Sequence, residues 1–88
     1  NPPYRDYLTD KKNIIIDCID KCFEVSKEKV ILLLALRHIQ GFTPVRLKKW
    51  EDKQWVVTDM CVMNIPKWYG RYYIITFEKN GNQVLKYI

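Results

Sequence analysis

Apolar residues near the start of the chain recur at intervals of three and four. Ile15, Ile19, Cys22 and Phe23 form a stripe that Ile14 and Cys18 widen, while Asn13, Asp17, Asp20, Lys21 and Glu24 lie mostly opposite. This period predicts a helix capped by Thr9 or Asp10 and running to about Glu24. The Ile14-Ile15-Ile16 triplet has strand propensity, but the longer period outweighs it. Before the helix, residues 1–8 read as an extended lead-in. Consecutive prolines hold it out of helical conformation, with Tyr4, Tyr7 and Leu8 laid on the domain.

Residues 26–54 read as helix, tight turn, helix. Ser26 is a fitting N-cap, and Glu28 suits the positive first turn. Residues 30–36 are apolar all round, as in a helix enclosed by neighbours. Gly41 supplies the left-handed residue that ends it. Thr43 and Pro44 then give an N-cap followed by proline at the first helical position. The second helix, about residues 44–53, carries Leu47 and Trp50 inward and leaves Arg46, Lys49 and Lys53 as a basic stripe.

After Lys53 the period shortens. Residues 55–62 are rich in β-branched and aromatic side chains and predict a strand. Residues 64–70, with Pro66 and Gly70, predict a loop. Residues 71–78, RYYIITFE, are the clearest strand. Asn80-Gly81 is a hairpin signal that turns residues 83–88 back as a last strand. The expected fold is α+β: three helices, then a three-stranded antiparallel meander, in one domain spanning residues 1–88. Both faces of the central strand are apolar. One packs on the helices; the other is covered by the lead-in, by a partner, or by nothing.

Size and charge narrow the function classes. Eighty-eight residues allow one modest core and no deep pocket. The longest apolar run, seven residues, is far short of a membrane span, and the start lacks the pattern of a secretory signal. A first residue Asn1 in place of methionine fits a processed product or an excised domain. Three cysteines, Cys18, Cys22 and Cys61, are an odd set that favours a reducing, intracellular compartment, cytoplasmic or nuclear. They read as small buried hydrophobes rather than, with His38, a zinc site, so no metal or cofactor is expected. Net charge is +5, and it is uneven. Residues 1–40 hold seven Lys/Arg against six Asp/Glu, a balance of +1; residues 41–88 hold eight against four, a balance of +4. The excess begins with the second helix of the motif and suits a phosphate polymer or an acidic surface.

A buried helix, a glycine turn and a basic outer helix match a helix-turn-helix. With a preceding helix and a following hairpin, residues 10–78 resemble the winged helix-turn-helix superfamily. The resemblance implies that the second helix of the motif enters the major groove of DNA and that the wing lies on the backbone. By position, Thr43, Val45, Arg46, Lys49 and Lys53 would face DNA. Thr43 and the helix N-terminus would meet phosphate. Arg46 would read guanine by its forked donors, while Lys48 and Lys49 neutralise phosphate. The wing would be residues 64–71, where Lys67 and Arg71 flank Trp68 and Tyr69. The short strand that the superfamily usually carries between its first two helices falls at best on Phe23-Glu24-Val25. The expected role is duplex DNA binding in transcription regulation or genome handling.

The main alternative is a protein-docking module. Trp68 and Tyr69 are candidate anchors, and residues 83–88 a candidate open edge strand. A second copy of the chain is among the partners this allows. A minor third reading has single-stranded nucleic acid or RNA stacking on Trp55, Tyr72, Tyr73 and Tyr87. Catalysis is not expected. His38 reads as satisfying carbonyls at the end of a helix, Asp17 and Asp20 as a solvated face, and no nucleophile stands beside a base.

Overall fold

The computed structural model describes residues 14–67 and 70–88 of the chain. The lead-in, the cap at Thr9 or Asp10, and Trp68 and Tyr69 lie outside the described residues. Among the described residues the fold is α+β, with three helices and a three-stranded antiparallel sheet. In chain order the elements are α1 (Ile14–Val25), β1 (Lys29–Ala35), α2 (Leu36–Ile39), α3 (Pro44–Asp52), β2 (Trp55–Met63) and β3 (Tyr72–Lys79).

The order of elements differs from the sequence reading at two places. The apolar run expected as an enclosed helix is instead strand β1. It pairs along its length with β3, from Lys29 opposite Glu78 to Ala35 opposite Tyr72. The cause is geometric. A helix apolar on every side needs neighbours on every side, and a chain of this size has too few elements to supply them. A strand needs only one covered face, and Val30, Leu32 and Leu34 are buried while Ile31 is 59% exposed. The helix of the motif shrinks to the four residues of α2. Phe23-Glu24-Val25 is the end of α1 rather than a strand.

The second difference is at the C-terminus, where residues 83–88 form no strand. The alternation behind that expectation is real: Gln83, Leu85 and Tyr87 are half-buried, and the residues between them are exposed. But this tail runs beside β2 at a bulge between Val57 and Asp59, where the ladder is broken. It gains one backbone bond, Val84 N–H to the Val57 carbonyl at 2.9 Å. The Gln83 side-chain oxygen, not a backbone group, accepts from Val57 N–H, also at 2.9 Å. The third strand is therefore β1, and β3 lies between β1 and β2. The meander and the open C-terminal edge strand are both replaced.

Core residues gather on the inner face of the sheet. Register places Val30, Phe77 and Val57 side by side there, followed by Leu32, Ile75 and Met60. From α1, Ile15, Ile16, Ile19 and Phe23 are buried, and from α3, Leu47 and Trp50. Trp50 is the centre: its ring meets Phe23, Phe42 and Phe77 edge-on at 5.2–5.6 Å between centroids. Phe23 also stacks flat on Trp55 at 4.6 Å. Such edge-on and offset geometries suit the ring quadrupoles, negative at the face and positive at the rim.

Gly41 does not adopt the left-handed conformation; that role after a helix falls to Gln54, at φ 73° following α3. Gly41 sits close to α1 instead, where a Cβ would lie 3.3 Å from Ile16 Cδ1 and that side chain would have to give by a few tenths of an ångström.

Candidate nucleic-acid interface

The segment from α2 through the turn to α3 is built from local signals. Thr43 Oγ1 accepts from Arg46 N–H at 3.2 Å, closing the first turn of α3, and Pro44 occupies its start. At the other end of the motif, His38 is buried, and its Nδ1 accepts from Ala35 N–H at 3.1 Å. The ring therefore caps the start of α2 rather than satisfying carbonyls at a helix end, because that helix is one turn long. Trp50 Nε1 donates to Asp20 Oδ1 at 2.8 Å. Asp20 is thus a tether between α1 and α3 rather than a solvated surface charge.

With Leu47 and Trp50 held inward, the outward ridge of α3 is fixed by helical spacing. It consists of Val45, Lys48, Lys49 and Asp52, all exposed, with Val45 at 78%. Thr43 is exposed before the helix and Lys53 after it. Among the described residues, no carboxylate pairs with Lys49 or Lys53. Lys48 Nζ lies 3.0 Å from Asp52 Oδ1, and this bond and the charge behind it hold the ammonium above its ordinary pKa. Lys48 remains a cation throughout the physiological range.

Arg46 takes a different place from the one its spacing suggests. It lies on the flank of α3, half-buried, and Nη1 donates to the Gly41 carbonyl at 2.8 Å. One fork of the guanidinium thereby fastens the turn. Lys67 and Arg71 are exposed in the loop that joins β2 to β3. The Arg71 carbonyl accepts from Leu36 N–H at 3.0 Å, tying the end of the loop to the start of α2. The loop and the C-terminus of α3 stand at opposite ends of β2, a strand of roughly 30 Å at 3.3 Å per residue. Lys53 thus stands at one end of the sheet, just before Trp55, and Arg71 at the other, just before Tyr72 opposite Met63.

Sequence reasoning missed the docking of the C-terminal tail on α3. Tyr87 O–H donates to Glu51 Oε1 at 2.9 Å, and Gln83 Nε2 donates to the same oxygen at 3.3 Å. Burial first, and then this hydrogen bond, push the Tyr87 phenol up, so it stays a donor. Only the alternation of residues 83–88 hinted that one side of the tail is covered. The partner, thirty-six positions back, had no local trace.

None of the three cysteines is fully buried, although Cys22 packs against the core cluster. Cys61 is exposed, because its strand position points it to the outer face of the sheet, and Cys18 and Cys22 are half-exposed on the flank of α1. Burial, and secondarily the neighbouring Cys18, push the Cys22 thiol up, which works against thiolate chemistry there. Among the described residues, no three of His, Cys, Asp or Glu come together as metal ligands, and no helix is long and apolar enough to cross a membrane. The chain matches no protein-family model, no curated protein and no solved structure.

Proposed function

We propose that this chain is a duplex DNA-binding domain of a regulatory or genome-handling protein, working inside the cell, with α3 as the helix that enters the major groove. The observation that carries this reading is the outward ridge of α3. Lys48, Lys49 and Lys53 project beside an exposed Val45 from a helix whose other side is anchored by Leu47 and Trp50. A rigid helix with a cationic outer side can follow a groove lined by phosphates, and the release of condensed counterions drives the association. Val45 offers apolar contact to a thymine methyl group. The exposed Thr43 and the start of α3 suit a backbone phosphate.

The resemblance to the winged helix-turn-helix superfamily gains support from two features. Strand β1 lies between α1 and α2, where the superfamily carries its short strand. The β2–β3 pair is joined by residues 64–71, the segment proposed as the wing. In this reading Arg46 fastens the turn and contributes its remaining donors to phosphate, Lys49 and Lys53 contact phosphate as well, and base reading falls to Val45.

The test is duplex binding across salt. Replacing Lys49 and Lys53 together by alanine removes two phosphate contacts. The slope of log K against log salt is expected to become shallower by about two, nearly independent of DNA sequence, with thermal unfolding unchanged. A wild-type chain without affinity for duplex at moderate salt overturns the proposal. Arg46→Ala is a poorer probe, because it also strips the Gly41 carbonyl of its donor.

The protein-docking alternative loses its C-terminal edge strand, its anchors Trp68 and Tyr69 lie outside the described residues, and another surface is open to it. Register brings Ile31, Leu33, Ile74, Cys61 and Met63 onto the outer face of the sheet, all exposed or half-exposed. Loss of a protein partner on Ile31→Lys, with duplex binding absent throughout, would favour it.

A further inference from the structure

The C-terminal tail offers a cation on the flank of α3 that the basic ridge does not include. Lys86 is exposed, and it lines a shallow groove with Lys48, Glu51 and Tyr87. The tail is held at four points. Tyr87 and Gln83 both donate to Glu51, Gln83 accepts from Val57 N–H, and Val84 N–H donates to the Val57 carbonyl. Leu85 and Tyr87 also pack against the core cluster. A six-residue segment bound on both sides of Lys86 holds the backbone of its one cation beside the helix.

We propose that residues 83–88 are a second arm of the DNA-binding surface, in which Lys86 contacts a backbone phosphate adjacent to the one met by Lys48. Glu51 acts as the positioning residue that docks the arm. The inference rests on the reading of α3 as the groove-entering helix. It gives a use to a carboxylate that would otherwise only oppose phosphate. Glu51 lies on the tail side of α3, off the outward ridge, and its Oε1 is engaged by two donors. Tyr87 is the partner matched to it: its ring packs inward while its hydroxyl reaches the carboxylate.

Three variants test this by duplex titration at several salt concentrations. Lys86→Ala is expected to make the salt slope shallower by about one and to weaken binding several-fold, evenly over unrelated sequences. Tyr87→Phe keeps the ring and removes the donor. It is expected to give part or all of the same slope change, with faster exchange of the Val84 amide. Lys86→Ala combined with Tyr87→Phe is expected to bind as Lys86→Ala alone, because both changes act through one contact. A Lys86→Ala slope equal to that of wild type, in a protein whose slope Lys49→Ala does reduce, overturns the arm and leaves the α3 reading standing. Additive losses in the combined variant overturn the positioning role. Absence of wild-type binding overturns both.

Discussion

The two faces of the sheet are built to different standards. The inner face carries Leu34, Ile75, Phe77 and Val57, each at 0–1% exposure, under a roof of Phe23 and Trp50. The outer face, from the same three strands, carries Ile31, Leu33, Tyr72, Ile74, Cys61 and Met63, exposed or half-exposed. Two places depart from this: Ala35, buried at the end of β1, and the opposite corner of the sheet. There Val56 is buried, and a Cβ on Gly81 would come within 2.7 Å of Thr58 Cγ2. The contrast separates two uses of apolar residues. On the inner face they hold α1 and α3 in place and so aim the outward ridge of α3. On the outer face they contribute less to that aim.

Three substitutions probe this contrast, in descending order of effect. Trp50→Ala removes the ring shared by Phe23, Phe42 and Phe77 and leaves Asp20 without its donor. The expected loss is about 3–5 kcal/mol, a large part of the roughly 5–15 kcal/mol that holds a typical domain together. Urea unfolding should find the midpoint lowered by an amount that matches this loss. A stable Trp50→Ala protein would mean that the inner face is not what holds the helices. Gly81→Ala forces Thr58 or the turn to move, and overpacking of this kind costs about 1–3 kcal/mol. A lower midpoint at unchanged denaturant slope is the expected result, and no change would show that the corner is slack. Ile31→Thr, on the outer face at 59% exposure, should stay within about 0.5 kcal/mol of wild type. A larger loss by thermal melting would place the outer face among the stabilising surfaces and erase the contrast.

The parts of the molecule that could be read from residues alone are those whose cause is local. α3 follows from Thr43 and Pro44 at its start and from Leu47 and Trp50 three apart on one side. α1 shows in the spacing of Ile15, Ile19 and Phe23, and β2 and β3 in dense runs of β-branched and aromatic residues. The exposure of Val45, Lys48 and Lys49 follows from the same helical geometry. β1 was not legible. A short apolar run without period fits a buried helix or a strand equally, and only pairing with β3 decides between them. Nor could spacing show that Arg46 reaches back to Gly41, since a flank residue has a choice of partners that the turn geometry settles.

Sequence by itself thus determined the helix bearing the basic ridge, the hairpin of β2 and β3, and the charge imbalance that begins at residue 41. Tertiary structure alone decided which segment completes the sheet, which apolar face is covered, and where the tail with Lys86 comes to rest. The division has one physical origin. Caps, helical spacing and turn chemistry act within a few residues. Strand register and the union of Tyr87 with Glu51 join groups tens of residues apart, and their free energy exists only once the chain has closed the loop between them.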